Sequence, residues 1–279
     1  MPLSIDPIAG SIGATVTGLH LRSLDEATFA AIHDAWLEHL VLFFPDQHLD
    51  PSEQRDFARR FGDLEVHPLT EKLVGTPEVT LLHSDRGGRA DVWHTDVTFN
   101  EQPPIAAVLQ QISGPEAGGD TMWANQYAAF AAMSPALQEF LRGLTAVHTG
   151  WPHGHPGMKA ERPVVLRHPE TDREALAVNR LFTTRIPQLE QSESDAVLAH
   201  LFTWGDRPEF TCRWTWSPGD VVIWDNRCTR HYAIGDYDTE RIMHRVTVLG
   251  AYTDGDHHPV RWPDHDVKLL SASSAFVRR

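Results

Sequence analysis

The sequence predicts a mainly β protein with flanking helices, an α+β chain in which strands outnumber helices. Three observations predict it. Short runs rich in β-branched and aromatic residues recur along the chain, among them Val41-Leu42-Phe43-Phe44, Val221-Val222-Ile223-Trp224 and Met243 to Leu249. Glycine and proline, at 19 each, punctuate these runs and leave little room for long helices. Helical spacing of apolar residues is confined to a few segments. A chain of 279 residues, 41% hydrophobic and with nine tryptophans, can build one large core. No Ser/Gly-rich linker, charge block or short-period repeat divides it, so a single domain over residues 1–279 is expected.

The elements follow in order. Leu3 to Leu21 mixes β-branched residues with Gly10, Gly13 and Gly18, as in short strands joined by tight turns. Ser23-Leu24-Asp25-Glu26 reads as a helix start, and Phe29, Ile32, Ala35, Trp36 and Leu40 keep helical spacing for packing on a sheet. Val41 to Phe44 is a short buried strand. Pro51-Ser52-Glu53-Gln54 opens a second helix through Phe57 and Phe61. Trp93 to Phe99 reads as a strand, as does Pro103-Pro104 to Gln111, and Gly118-Gly119-Asp120-Thr121 as a tight turn into Met122-Trp123-Ala124. Ala128 to Phe130 is a helical turn and Pro135 to Leu144 a longer helix. Trp151 to Met158 is rich in turn formers and reads as a mobile flap; its H-G-H lacks a nearby acid or cysteine to complete a metal set. Strands then recur at Val164 to Leu166, Ala175 to Val178 and Phe210 to Trp216, with a helix from Ser192 to Phe202; the tail after Asp254 is polar.

Composition narrows the function classes. A formal net charge of −14 without a basic run argues against general binding to nucleic acid or to membrane surfaces, so any anion site must be local. Cys212 and Cys228 are the only cysteines, which excludes a multi-disulfide framework. The opening Met1-Pro2-Leu3-Ser4-Ile5-Asp6 has neither a basic n-region nor an apolar h-region, and no run approaches a membrane-spanning length; a soluble cytoplasmic protein is expected.

The chemistry concentrates at two places. In Trp93-His94-Thr95-Asp96-Val97-Thr98-Phe99 an imidazole and a carboxylate stand two residues apart, and on a strand they would share a face. Such a pair is two thirds of the 2-His-1-carboxylate triad of non-haem Fe(II) sites, although by itself it fits a hydrogen-bonded surface pair equally well. The missing histidine is offered by Val221 to Tyr232, where an apolar strand meets the turn Asp225-Asn226-Arg227 and the next segment carries His231 back inward. Beyond it, Arg241, Met243 and Arg245 alternate along one strand. Two inward arginines suggest a site for carboxylate or sulfo groups, the alternative being surface pairing with Asp236, Asp238 and Glu240.

Taken in order, these segments resemble the taurine dioxygenase/TfdA-like family of Fe(II)- and 2-oxoglutarate-dependent oxygenases. The resemblance also takes in Ile12-Gly13-Ala14-Thr15-Val16-Thr17-Gly18, Phe57 to Gly62, Gly118-Gly119-Asp120-Thr121 and Phe182-Thr183-Thr184-Arg185, and so covers most of the chain. It implies a double-stranded β-helix (jelly roll) with covering helices. It implies Fe(II) held by His94, Asp96 and His231, with the far carboxylate of the co-substrate 2-oxoglutarate held by Thr121 and Arg241. Arg245, on the same strand face, is expected to contact 2-oxoglutarate as well and to meet the substrate's anionic group, with His67 and the Val97 N–H; Phe99 and Phe182 are candidates for the pocket's apolar wall, and equally for ordinary core aromatics.

The implied reaction couples oxidative decarboxylation of 2-oxoglutarate by dioxygen to hydroxylation of a small anionic organic substrate. An alkanesulfonate or alkyl sulfate would collapse to an aldehyde with release of sulfite or sulfate, a role in sulfur metabolism. Where taurine-specific members carry asparagine four residues before the metal histidine, and tyrosine three after the substrate histidine, this chain has Ala90 and Thr70, which leaves an ammonium poorly satisfied. The alternatives are an oxygenase of a carboxylate such as an aryloxyalkanoate, without sulfur release, and a catalytically silent metal- or anion-binding module of the same fold. Family members commonly self-associate.

Overall fold

The computed structural model describes residues 2–66, 71–84 and 90–252. Expectations for His67, Thr70, most of the loop after Ser84 and the tail beyond Asp254 fall outside them. The larger sheet runs, from one edge to the other, through strands Ser4–Pro7, Ala14–Thr17, Val41–Phe44, Val221–Asp225, Ala106–Ser113, Ile242–Leu249, Thr76–His83 and Lys72–Leu73. Neighbours are antiparallel except Ala14–Thr17 beside Val41–Phe44. A smaller sheet orders Thr211–Trp214, Thr121–Asn125 and Thr229–Ala233.

Alternation along the central strands sorts side chains into two layers. Val221, Ile223, Leu42, Phe44, Val108 and Val246 face one way and pack with Ile32, Ala35, Trp36, Phe57 and Ala58 of the helices Glu26–His39 and Pro51–Arg59. Val222, Trp224, Val41, Phe43, Ala107 and Met243 face the other way, onto Trp123 and Cys212 of the smaller sheet. Two sheets closed over that second layer make the jelly roll, with helices covering one outer face. The helices start where the sequence places them. Asp25 accepts the Thr28 N–H, and Asp50 and Glu53 form a reciprocal capping box.

A third cluster, including Phe130, Leu141, Val164, Ile186, Leu198 and Leu201, belongs to the long excursion between the smaller sheet's strands, with helices Gln126–Ala131, Pro135–Arg142 and Gln191–Gly205. The segment expected to form a flap takes regular structure. A short 3-10 turn, Trp151–His153, leads into strand His155–Pro163, which returns antiparallel along Thr145–Gly150 through a register shift between His155 and Lys159.

Candidate metal centre

Strand Val221–Asp225 turns at Asn226 and re-enters the core as Thr229–Ala233. His231 on this strand pairs with His94 through two backbone bonds, His94 N–H to His231 O at 3.0 Å and His231 N–H to His94 O at 2.7 Å. Directly opposed residues of an antiparallel pair put their side chains on one face. The two imidazoles accordingly lie side by side with ring centroids 4.0 Å apart.

The expected strand over residues 93–99 is corrected here. His94 makes one isolated bridge, and the chain then enters a turn in which Val97 takes φ 38°. Asp96 reaches the imidazoles through that turn and not through strand alternation. Its Oδ1 lies 3.8 Å from His94 Nε2 and 3.7 Å from His231 Nε2. A left-handed β-branched residue costs about 1–3 kcal/mol, so the surroundings must hold the turn in place.

Burial lowers the proton affinity of both imidazoles, strongly for His231, where His94 adds to the effect; the Asp96 charge opposes it in each. Burial alone would raise the Asp96 carboxyl, but the Arg245 charge and the two histidines outweigh it and hold the group at about 2. Neutral imidazole and ionised carboxylate are the ligating forms. His94 Nδ1 lies 2.7 Å from the Val92 carbonyl, which can only accept, so the ring proton is on Nδ1 and Nε2 keeps its lone pair toward Asp96. Both Nε2 atoms face the carboxylate at distances too long for a hydrogen bond, and the ligand atoms of all three residues lie within 4.8 Å of one another. Two imidazoles and one carboxylate with lone pairs to spare fit a divalent cation of the Fe(II) type.

The arginines do not pair with the acids nearest in sequence. Glu240 bonds His83 at 3.0 Å and Asp236 accepts the Gly119 N–H at 2.8 Å. Arg245 Nη2 lies 2.7 Å from Asp96 Oδ2, which places this guanidinium against the metal carboxylate itself. Arg241 is buried, with its guanidinium carbon 5.7 Å from the Trp216 ring centroid. The same indole donates to Thr121 Oγ1 at 2.9 Å, so Trp216 joins the two residues expected to hold one carboxylate. Arg241 Nε and Nη2 and Arg245 Nε are buried without a hydrogen-bond partner. Burial lowers the Arg241 affinity for its proton, against the pull of Tyr237 and Asp120. Unpaired guanidinium donors in a buried setting call for an anion.

Phe99 and Phe182 meet edge to face at 5.0 Å, both buried, and His153 packs edge-on against each at 5.9 and 5.0 Å.

A second buried group, His168, Asp225 and Cys228, has similar donors but no lone pair to give. His168 Nδ1 accepts the Glu170 and Thr171 N–H groups, each at 3.2 Å, so Nε2 carries the proton and donates to Asp225 Oδ2 at 3.0 Å. Arg227 covers the rest of that carboxylate, with its backbone N–H and Nε on Oδ1 at 2.9 Å and Nη2 on Oδ2 at 2.7 Å. Burial pushes the Cys228 thiol well above its usual range, which keeps it protonated.

Residues 4–247 match the family described as taurine catabolism dioxygenase TauD, TfdA family. The chain belongs to this family. It is 41% identical over 278 residues to the alkylsulfatase of Acinetobacter baylyi, covering 91% of this chain and 87% of that protein. The alpha-ketoglutarate-dependent sulfate ester dioxygenase of Pseudomonas putida is 38% identical over 274 residues, 90% of each chain. Among solved structures, a taurine dioxygenase from Burkholderia xenovorans superposes with a TM-score of 0.83 at 36% identity, over 89% of this chain and 90% of that one.

Within this TauD/TfdA-family frame, Asn226, Arg162, Trp216 and His153 escape the sequence reading. Asn226 stands in the turn next to the recognised motif, but nothing in sequence shows that its amide grips Asp96. Arg162 contacts the metal turn from 61–64 positions away.

Proposed function

We propose that this chain is an Fe(II)- and 2-oxoglutarate-dependent dioxygenase that hydroxylates sulfate esters at the carbon bonded to the ester oxygen. The observation that carries the reading is the convergence of His94, Asp96 and His231 ligand atoms within 4.8 Å, flanked by two arginines with unpaired buried N–H donors. The names of its relatives support the substrate class, since two that match across nine tenths of this chain are described as acting on sulfate esters. Ala90 supports it too, because a methyl side chain offers nothing to an ammonium.

His94 Nε2, His231 Nε2 and Asp96 Oδ1 would hold the iron, and Arg245 keeps the carboxylate ionised and oriented. Bound iron supplies dioxygen activation coupled to 2-oxoglutarate. Arg241 and the Thr121 hydroxyl bind the far carboxylate of 2-oxoglutarate. The free donor of Arg245, with the Val97 N–H and His67, receives the substrate's sulfate group. Phe99, Phe182 and His153 exclude water from the alkyl part and present its first carbon to the iron.

The balance is direct. One dioxygen atom enters succinate as carbon dioxide leaves, and the other becomes a hydroxyl on the substrate carbon. The resulting hydroxyalkyl sulfate loses its C–O bond to sulfate as the hydroxyl proton departs, giving an aldehyde and hydrogen sulfate.

The test is succinate formation by protein loaded anaerobically with Fe(II) and 2-oxoglutarate and then given air, across alkyl sulfates, alkanesulfonates and aryloxyalkanoates. Equal yields of succinate and sulfate from alkyl sulfates are expected. Sulfite from sulfonates alone, or succinate from a carboxylate without sulfur release, would overturn the sulfate-ester assignment. No coupled turnover on any substrate would overturn the reaction class.

A further inference from the structure

The turn that carries Asp96 is gripped at two separate points by buried side chains from distant parts of the chain. At its start is Asn226, fully buried in the turn that leads to His231. Its Oδ1 accepts the Asp96 N–H at 2.9 Å, and its Nδ2 donates to Asp96 O at 3.3 Å and to Pro104 O at 2.9 Å. One amide thus holds both backbone groups of the carboxylate ligand and ties them to the segment bearing the second histidine. Both amide protons and the amide oxygen are engaged.

At the far end is Arg162, buried on strand His155–Pro163. Its Nε donates to Thr98 O at 2.7 Å, and its Nη2 donates to Glu101 O at 2.9 Å and to Asn100 O. The rigid fork of a guanidinium suits several carbonyls at once. His148, on the neighbouring strand, and Asn179 secure the Thr98 hydroxyl at 2.8 and 3.0 Å. Burial and the Arg162 charge push the His148 imidazole down to about 3, so the Thr98 hydroxyl meets a neutral ring. Phe99 stands between these anchored residues, its ring against Phe182 and against His153, which lies on the 3-10 turn just before the strand of Arg162.

We propose that Asn226 and Arg162 are positioning residues with separable duties: Asn226 fixes the carboxylate ligand relative to His231, and Arg162 fixes the Phe99 wall that the substrate meets. The inference rests on the reading of His94, Asp96 and His231 as metal ligands. Between the two clamps lies Val97 at φ 38°, the strained point that either clamp alone would leave free to relax from the other side.

The test uses the full chain with Co(II), whose ligand-field absorption reports the ligand set, and hexyl sulfate as the probe substrate. Asn226→Ala should weaken Co(II) binding by about 10- to 100-fold, the usual loss for a partner that orients a metal ligand. Arg162→Gln should leave Co(II) affinity within about twofold, speed hydrogen exchange of the 97–101 amides, and raise the hexyl sulfate KM about tenfold more than it lowers kcat. Arg162→Lys, which keeps the charge and loses the fork, should fall between and serves where the glutamine variant does not fold. Equal loss of Co(II) affinity in both variants, or no loss in Asn226→Ala, would overturn the proposal. Wild-type protein that binds no Co(II) would defeat the metal reading beneath it. Wild-type protein that binds Co(II) but ignores hexyl sulfate would defeat only the sulfate-ester reading, and the split between Co(II) affinity and hydrogen exchange would still decide the clamps.

Discussion

His94–Asp96–His231 and His168–Asp225–Cys228 are two buried clusters that each combine a histidine and an aspartate with one further ligand-type side chain. They differ in where their lone pairs go. In the second cluster, backbone N–H groups take the histidine's spare nitrogen and Arg227 takes the carboxylate, so the network is closed. In the first, among the described residues, the Arg245 guanidinium forms an ion pair with Oδ2 at 2.7 Å, and both imidazole Nε2 atoms face Asp96 at distances too long for a hydrogen bond. Residue type and spacing make a cluster a candidate, and the accounting of donors and acceptors makes it a site.

The largest effect that separates the two should come from Asp96→Ala. Turnover falls to background, more than about a hundredfold, since the loss of a partner outside the ligand set already costs 10–100-fold; the thermal melt by circular dichroism stays close to wild type. Unchanged succinate production would refute the metal assignment.

Next is Asp225→Asn, expected to behave in the opposite way. It leaves Arg227 buried with half a partner, and breaking such a pair costs about 3–5 kcal/mol in a urea melt. Cation stoichiometry by equilibrium dialysis should remain that of wild type.

Asp225 also has a signature in pH. Burial would raise the Asp225 carboxyl, but Arg227 and His168 hold it well below its ordinary 3.8. A depressed folded value means that the unfolded chain binds the proton first. Its stabilisation is therefore complete above the ordinary value and drains away as pH falls through the folded one. The acid limb of the melting temperature should be shallower in Asp225→Asn than in wild type, and a parallel limb would remove Asp225 from the account of acid stability.

The smallest effect is expected from Cys228→Ala, a loss of about 1 kcal/mol from the removed buried sulfur, with metal content unaltered. Lost metal in that variant would mean that the second cluster binds a cation after all.

Much of this was legible in the sequence where one residue type has one physical use. The continuous apolar run Val221 to Trp224 placed a buried strand, Asp25 and Pro51 marked helix starts, and the histidine after Trp224-Asp225-Asn226-Arg227 was carried inward as expected. Strand periodicity around His94 predicted that His94 and Asp96 share a face; the structure brings them together where one isolated bridge gives way to a turn. Thr76–His83 gives weak signal, with proline in its second position. Least legible was the Arg162 clamp, which depends on carbonyls 61–64 positions away and on no motif at all.

The indole of Trp216 has a consequence for what the site accepts. Its N–H takes one lone pair of the Thr121 oxygen and leaves the hydroxyl proton free to donate, while Arg241 Nε and Nη2, beside the same indole, have protons to offer. Donors of this kind on Thr121 and Arg241 are met by a carboxylate, whose oxygens only accept.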